Sequence, residues 1–167
     1  MSGFLDDLLQ RDLRSGCLVA IAALMMAIIP GCIGPNENAD EHAAVAAIQK
    51  LGGKVEFEGE KENQRVTKVY LHSTGVQDAD LTLLSKLSKL RNLFLGKTQI
   101  GDEGLQHLQN SGELQTLSLN STRVTDAGLE SLTKLTKLKT LNVQETQVTA
   151  AGAARLRQAL PGTTIAR

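Results

Sequence analysis

One feature governs how this chain can fold: from Val66 onward the sequence repeats every 24 residues, four times over, without an insertion. Val66, Leu90, Leu114 and Leu138 open the four rows. Three residues on stand Val69, Leu93, Leu117 and Leu141, and two further on stand Leu71, Leu95, Leu119 and Val143. Thr74, Thr98, Thr122 and Thr146 follow, then Val76, Ile100, Val124 and Val148. Leu81, Leu105 and Leu129 form a later column, and Leu84, Leu108, Leu132 and Leu156 another. A unit this short cannot bury enough apolar surface to offset the entropy of ordering its own backbone, so neighbouring units must stack and fold together.

Each row changes its apolar period part-way along. Leu93 and Leu95 alternate with Asn92, Phe94 and Gly96, the period of a half-buried strand. Leu105 and Leu108, three apart, have helical spacing. Asp78, Asp102 and Asp126 stand just before the helical stretches and are expected to cap their free N–H groups. Gly104 and Gly128 are expected to permit a tight turn there. The Thr column is expected to turn its hydroxyls inward, onto the backbone of adjacent coils.

The row Leu114-Gln-Thr-Leu-Ser-Leu-Asn-Ser-Thr122 and the following Val124-Thr-Asp-Ala-Gly-Leu129 resemble the leucine-rich-repeat (LRR) family, in particular its cysteine-containing subclass, with Thr at the polar ladder position. The resemblance runs from Val66 to Ile165. It implies an α/β fold: a right-handed solenoid with a parallel sheet on the concave face and helices on the convex face. The flanks read as caps. Residues 41–65 comprise a helix, Glu41–Leu51, stopped by Gly52-Gly53, and an alternating strand, Lys54–Glu58, before a charged loop. Within the 66–165 solenoid, Pro161-Gly162 ends the last helix. Ile165 falls one period after Leu141 as the stub of a further strand.

The N-terminal stretch is of another kind. Cys17–Ile29 is an unbroken apolar run of thirteen residues, short for a membrane span but suited to a signal peptide, with Arg11 and Arg14 before it. Ile29-Pro30-Gly31-Cys32 resembles a bacterial lipobox, in which cleavage before the cysteine leaves it lipid-modified. On that reading residues 1–31 are a lipoprotein-type signal peptide, 32–40 a Pro-, Gly- and Asn-rich tether, and Cys32 the lipidation site that anchors an extracytoplasmic chain to a membrane. Pro30, Asp6, Asp7 and Asp12 depart from the usual pattern. A plain signal peptide, leaving a secreted product, or an uncleaved anchor is the alternative.

Chemistry is sparse. Lys plus Arg and Asp plus Glu number 18 each, so no net field points to nucleic acid. The two cysteines, Cys17 and Cys32, leave the repeats without a disulfide. His42, His72 and His107 fall on different elements, and no metal, nucleotide or hydrolase motif is present. No enzyme, cofactor, metal or small-molecule substrate is expected. The Asp column could in principle hold a cation, but helix capping accounts for it. Lys86, Lys89, Lys134, Lys137 and Lys139 read as a solvated face.

The remaining signal lies on the outward positions of the strands. One row reads Tyr70, Phe94, Ser118, Asn142, and the next His72, Gly96, Asn120, Gln144. Tyr70 is the chain's one tyrosine, and Phe94 is its expected neighbour on the adjacent strand. Rings placed where burial does not require them are typical binding anchors. The alternatives are cover by the N-terminal hairpin or simple cross-strand pairing. The expectation is a protein-interaction module binding through Tyr70, Phe94, His72, Asn120, Asn142 and Gln144. The other reading is a structural cell-envelope component without a specific partner.

Overall fold

In the structure, a computed structural model, residues 37–59 and 64–167 are described. The expected signal peptide, Cys32 and most of the tether lie outside the described residues. Glu37–Arg167 forms one compact unit. Its elements are helix α1 (Glu37–Lys50), strands β1 (Lys54–Glu58) and β2 (Arg65–Tyr70), a 3₁₀ helix (Asp78–Lys86), β3 (Asn92–Phe94), α2 (Asp102–Gln106), β4 (Thr116–Ser118), α3 (Asp126–Ser131) running into a 3₁₀ turn (Leu132–Lys134), β5 (Thr140–Asn142), α4 (Ala150–Ala159) and β6 (Thr164–Ala166). Helix α1 begins at Glu37, four residues before the expected start at Glu41.

The strands form one sheet in sequence order, β1 antiparallel to β2 and all later pairs parallel. Val69, Leu93, Leu117, Leu141 and Ile165 are direct register partners across the parallel strands. The sequence period thus becomes sheet register without slippage, because a one-residue shift would turn every leucine to the wrong face. One aliphatic core runs the length of the stack, and Val69, Leu93, Leu95, Leu117, Leu119 and Leu141 are fully buried or nearly so. Helix α1 closes the first coil with Ala44, Val45 and Ile48, buried at one helical spacing, and Gly52 takes the positive φ of +82° that ends it. At the far edge, Arg157 of α4 donates to the carbonyl of Ile165 on the last strand, at 3.1 Å.

The convex connections are less α-helical than expected. The first coil carries nine residues of 3₁₀ helix, the next two carry α segments of only five and six residues, and only the last reaches ten. Leucine spacing differs between the first and last coils, although α3 keeps α winding over Asp126–Ser131 before its 3₁₀ turn. Leu81, Leu84, Leu87 and Leu90 are all buried and stand three apart, as do Leu129, Leu132, Leu135 and Leu138. A period of three keeps such a row on one face of a 3₁₀ helix and drifts off an α-helix. In the last coil Ala153, Leu156 and Leu160 are spaced three then four, and the helix is α.

Two polar columns act differently from expectation. Asp78, Asp102 and Asp126 do not cap their own helices. Thr125 caps α3 by accepting from Ala127 N–H at 3.2 Å, and Thr149 caps α4 by accepting from Gly152 N–H at 3.1 Å. Each Asp instead reaches the next coil. Asp78 accepts the N–H of Gly101 at 2.8 Å. Asp102 accepts the N–H of Thr125 at 2.8 Å and its hydroxyl at 2.6 Å. Asp126 accepts the N–H of Thr149 at 2.7 Å and its hydroxyl at 2.6 Å. Stacking brings the next coil's helix start alongside, and its N–H groups lack helical partners. Gly104, Gly128 and Gly152 make room for these carboxylates, because a Cβ on any of them would collide with an oxygen of Asp78, Asp102 or Asp126 respectively.

The Thr hydroxyls close their own coils and not adjacent ones. Thr74, Thr98, Thr122 and Thr146 donate to the carbonyls of Leu71, Leu95, Leu119 and Val143 at 2.6–2.7 Å. Each bond spans a turn whose preceding residue is left-handed: Ser73, Lys97, Ser121 and Glu145 have φ of 56–58°. A non-glycine residue there is strained by roughly 1–2 kcal/mol, and the hydroxyl-to-carbonyl bond holds the turn in place.

Candidate functional site

The face of the sheet turned away from the core carries the outward rows. Tyr70, Phe94, Ser118 and Asn142 sit side by side on β2 to β5. Strands in a sheet lie about 4.8 Å apart, and the Tyr70 and Phe94 rings follow that spacing: their centroids are 4.9 Å apart and their planes 4° from parallel. His72 meets Tyr70 edge-on, with centroids 6.5 Å apart at 85°. Tyr70 and Phe94 are both half-buried. Hairpin strand β1 lies beside β2, and its Glu56 reaches the pair. That carboxylate accepts from Lys68 Nζ at 2.7 Å and from the Tyr70 hydroxyl at 2.9 Å. The bond from Lys68, then that from Tyr70, holds Glu56 below the usual carboxylate range. The same contacts push the Lys68 and Tyr70 pKa values up.

Beside the rings lies a hollow of about 280 Å³, walled by Phe94, His72, Lys97, Ser118 and Asn120. Gly96 is its floor. A side chain there would run into the amide of Asn120, which lies across it while Ser118 Oγ donates to Asn120 Oδ1 at 2.9 Å. The structure therefore groups four of the six expected binding residues: Tyr70, Phe94, His72 and Asn120. Asn142 and Gln144 stand one coil beyond, where Asn142 Oδ1 accepts the backbone N–H of Gln144 at 3.0 Å, and they do not line the hollow. Lys97, Ser118 and Glu56 are not among the expected binding residues, although Ser118 stands on the outward row. The one hint was Gly96, a residue without a side chain in a row of large polar ones. Among the described residues no three His, Cys, Asp or Glu side chains gather as a metal site, and no helix is long and apolar enough to cross a membrane.

A family model described as "Leucine Rich repeat" matches residues 114–132, the strand and helix of one coil. Comparison with curated proteins returned no match. Among solved structures, the chain is similar to an LRR protein of Leptospira interrogans (18% identity, 60% of this chain and 25% of that one, TM-score 0.49). It is also similar to an internalin of Listeria monocytogenes (22%, 60% and 34%, TM-score 0.43) and to the LRR ectodomain of a receptor kinase from Arabidopsis thaliana (15%, 67% and 82%, TM-score 0.42). The match thus spans only a quarter to a third of the first two proteins. With one coil matched by the repeat model and four coils stacked in register around a common leucine core, the fold of this chain is a leucine-rich-repeat solenoid.

Proposed function

We propose that this chain is a protein-interaction module that docks its partner on the open face of the sheet, outside the cytoplasm, tethered by lipid on Cys32. The observation that carries the docking reading is the stacked Tyr70–Phe94 pair beside a polar-rimmed hollow. Strand register already holds both rings in place, so a partner that covers them loses little side-chain entropy in doing so. Four coils offer a small surface, and clustering on a membrane would raise the avidity of a modest contact.

The test is the double substitution Tyr70→Ala, Phe94→Ala. Affinity-capture from an envelope extract identifies the partner, and its Kd for the double variant rises by at least about 25-fold, corresponding to about 2 kcal/mol for a lost anchor. The melt falls by several degrees at most, because the half-buried stack and one exposed hydrogen bond are worth about 1–2 kcal/mol together. Unchanged capture, or loss of the fold, overturns the docking reading. The tether is tested separately: mass spectrometry of the membrane fraction finds Cys32 as a diacylglycerol-modified first residue, and intact Met1 in the soluble fraction overturns it.

A further inference from the structure

We infer that the hollow beside the aromatic pair receives a carboxylate of the docked protein, an Asp or Glu next to an aromatic or apolar residue, gripped by Lys97 and Asn120. The inference rests on the docking reading above and adds the chemistry of the partner. None of the side chains that wall the hollow is acidic. Lys68, Lys86 and Lys137 each hold a carboxylate, at 2.7, 3.4 and 2.6 Å, whereas Lys97 has no such partner among the described residues. Lys97 is an exposed residue of the lining, and an ammonium without a carboxylate partner has donors to offer. The Ser118 hydroxyl occupies Asn120 Oδ1, which orients the amide and leaves its NH₂ group to donate. His72 also belongs to the lining. A negatively charged group that only accepts hydrogen bonds satisfies this set, and among the unmodified side chains of a protein partner that group is a carboxylate.

Size and surroundings narrow the ligand further. A hollow of about 280 Å³ has room for the acidic side chain of one docked residue and its stem. Phe94 supplies an apolar wall for the methylene stem of such a side chain, and the adjoining Tyr70 ring extends that surface to a neighbouring residue of the same peptide. Gly96 leaves room for the Asn120 amide that lies across it.

Two capped dipeptides, acetyl-Phe-Glu-amide and acetyl-Phe-Gln-amide, titrated into the ¹⁵N-labelled full chain in detergent, test this by amide chemical shifts. The Glu peptide shifts Gly96, Lys97 and Asn120 in a saturable manner. The Gln peptide binds about fivefold more weakly, as does the Glu peptide to Lys97→Gln, the size of one exposed charged contact. Raised salt narrows both differences. Equal affinity of the two peptides at the hollow overturns the acidic preference and leaves the docking face standing. No shift on the sheet face with either peptide overturns both. Sodium glucuronate shifting the same three signals while the Glu peptide does not would make this a saccharide site and overturn the inference.

Discussion

The loop columns and the open-face rows of this solenoid follow opposite rules. Along the Thr column the same residue makes the same bond in all four coils, and along the Asp column three coils repeat one staple to the next. On two rows of the open face the chemistry changes with every coil: Tyr, Phe, Ser, Asn in one and His, Gly, Asn, Gln in the next. Periodic side chains hold coil to coil, and the breaks in periodicity, where stacking makes no demand, create the aromatic pair and the hollow. In a repeat protein a residue that recurs is first a structural part, and a site is to be sought where the repeat fails.

The contrast can be broken most severely at the core. Leu117 is fully buried in the middle of the stack, and Leu117→Ala is expected to cost about 2–5 kcal/mol, read as a fall in denaturant midpoint and as faster hydrogen exchange in the coils on both sides. A loss below about 1 kcal/mol would show that the coils do not share one core.

The staple column comes next. Gly128→Ala drives a methyl into Asp102 and should cost about 1–3 kcal/mol, through lost bonds to Thr125. In an Asp102→Ala background the same change should cost little, since the obstacle is gone. Additive losses in that double-mutant cycle would contradict the reading of Gly128 as room for Asp102.

Acid should weaken the column in a defined window. Asp126 is held below its ordinary pKa by the Thr149 hydroxyl and then by the Thr149 N–H. Glu56 and Glu113 are lowered by Lys68 and by Lys137. A carboxylate whose folded pKa is depressed contributes stability above its unfolded pKa and loses it as pH falls through the folded value. Tm should therefore drop as pH falls below about 5, through the ordinary carboxylate range and beyond it, and Asp126→Asn should flatten part of that drop. An identical acid profile in the variant would remove Asp126 from the account.

The smallest effect is expected where a recurring position is occupied without a bond. Thr67 is buried and its hydroxyl has no partner, while Thr163, four periods on, donates to the carbonyl of Leu138 at 2.7 Å. Thr67→Val replaces an unpaired polar group with a methyl of the same shape and should leave stability unchanged or raise it by less than about 1 kcal/mol. Thr163→Val should lower it. Chemical denaturation of both variants checks the pair.

The sequence by itself determined the period, the number of coils, the strand register and the aliphatic core, because all of these follow from counting residues along one chain: a leucine every 24 positions can be buried only by stacking. The same arithmetic placed Tyr70 beside Phe94. It also contained the three-residue spacing of Leu81, Leu84, Leu87 and Leu90, which suits 3₁₀ winding but does not impose it, since Leu129 to Leu138 share that spacing and begin in an α segment. Only the tertiary structure decided which group each polar side chain meets. Asp102 passes over its own helix for Thr125, Thr98 stays within its own coil, Asn120 lies across Gly96, and Lys97 joins the lining of a hollow without acidic side chains. Those choices depend on directions and gaps between neighbouring coils a few ångströms apart in space and 23 or 24 residues apart in the chain. Hydrogen bonding selects among such neighbours by geometry, for which periodicity along the chain carries no information.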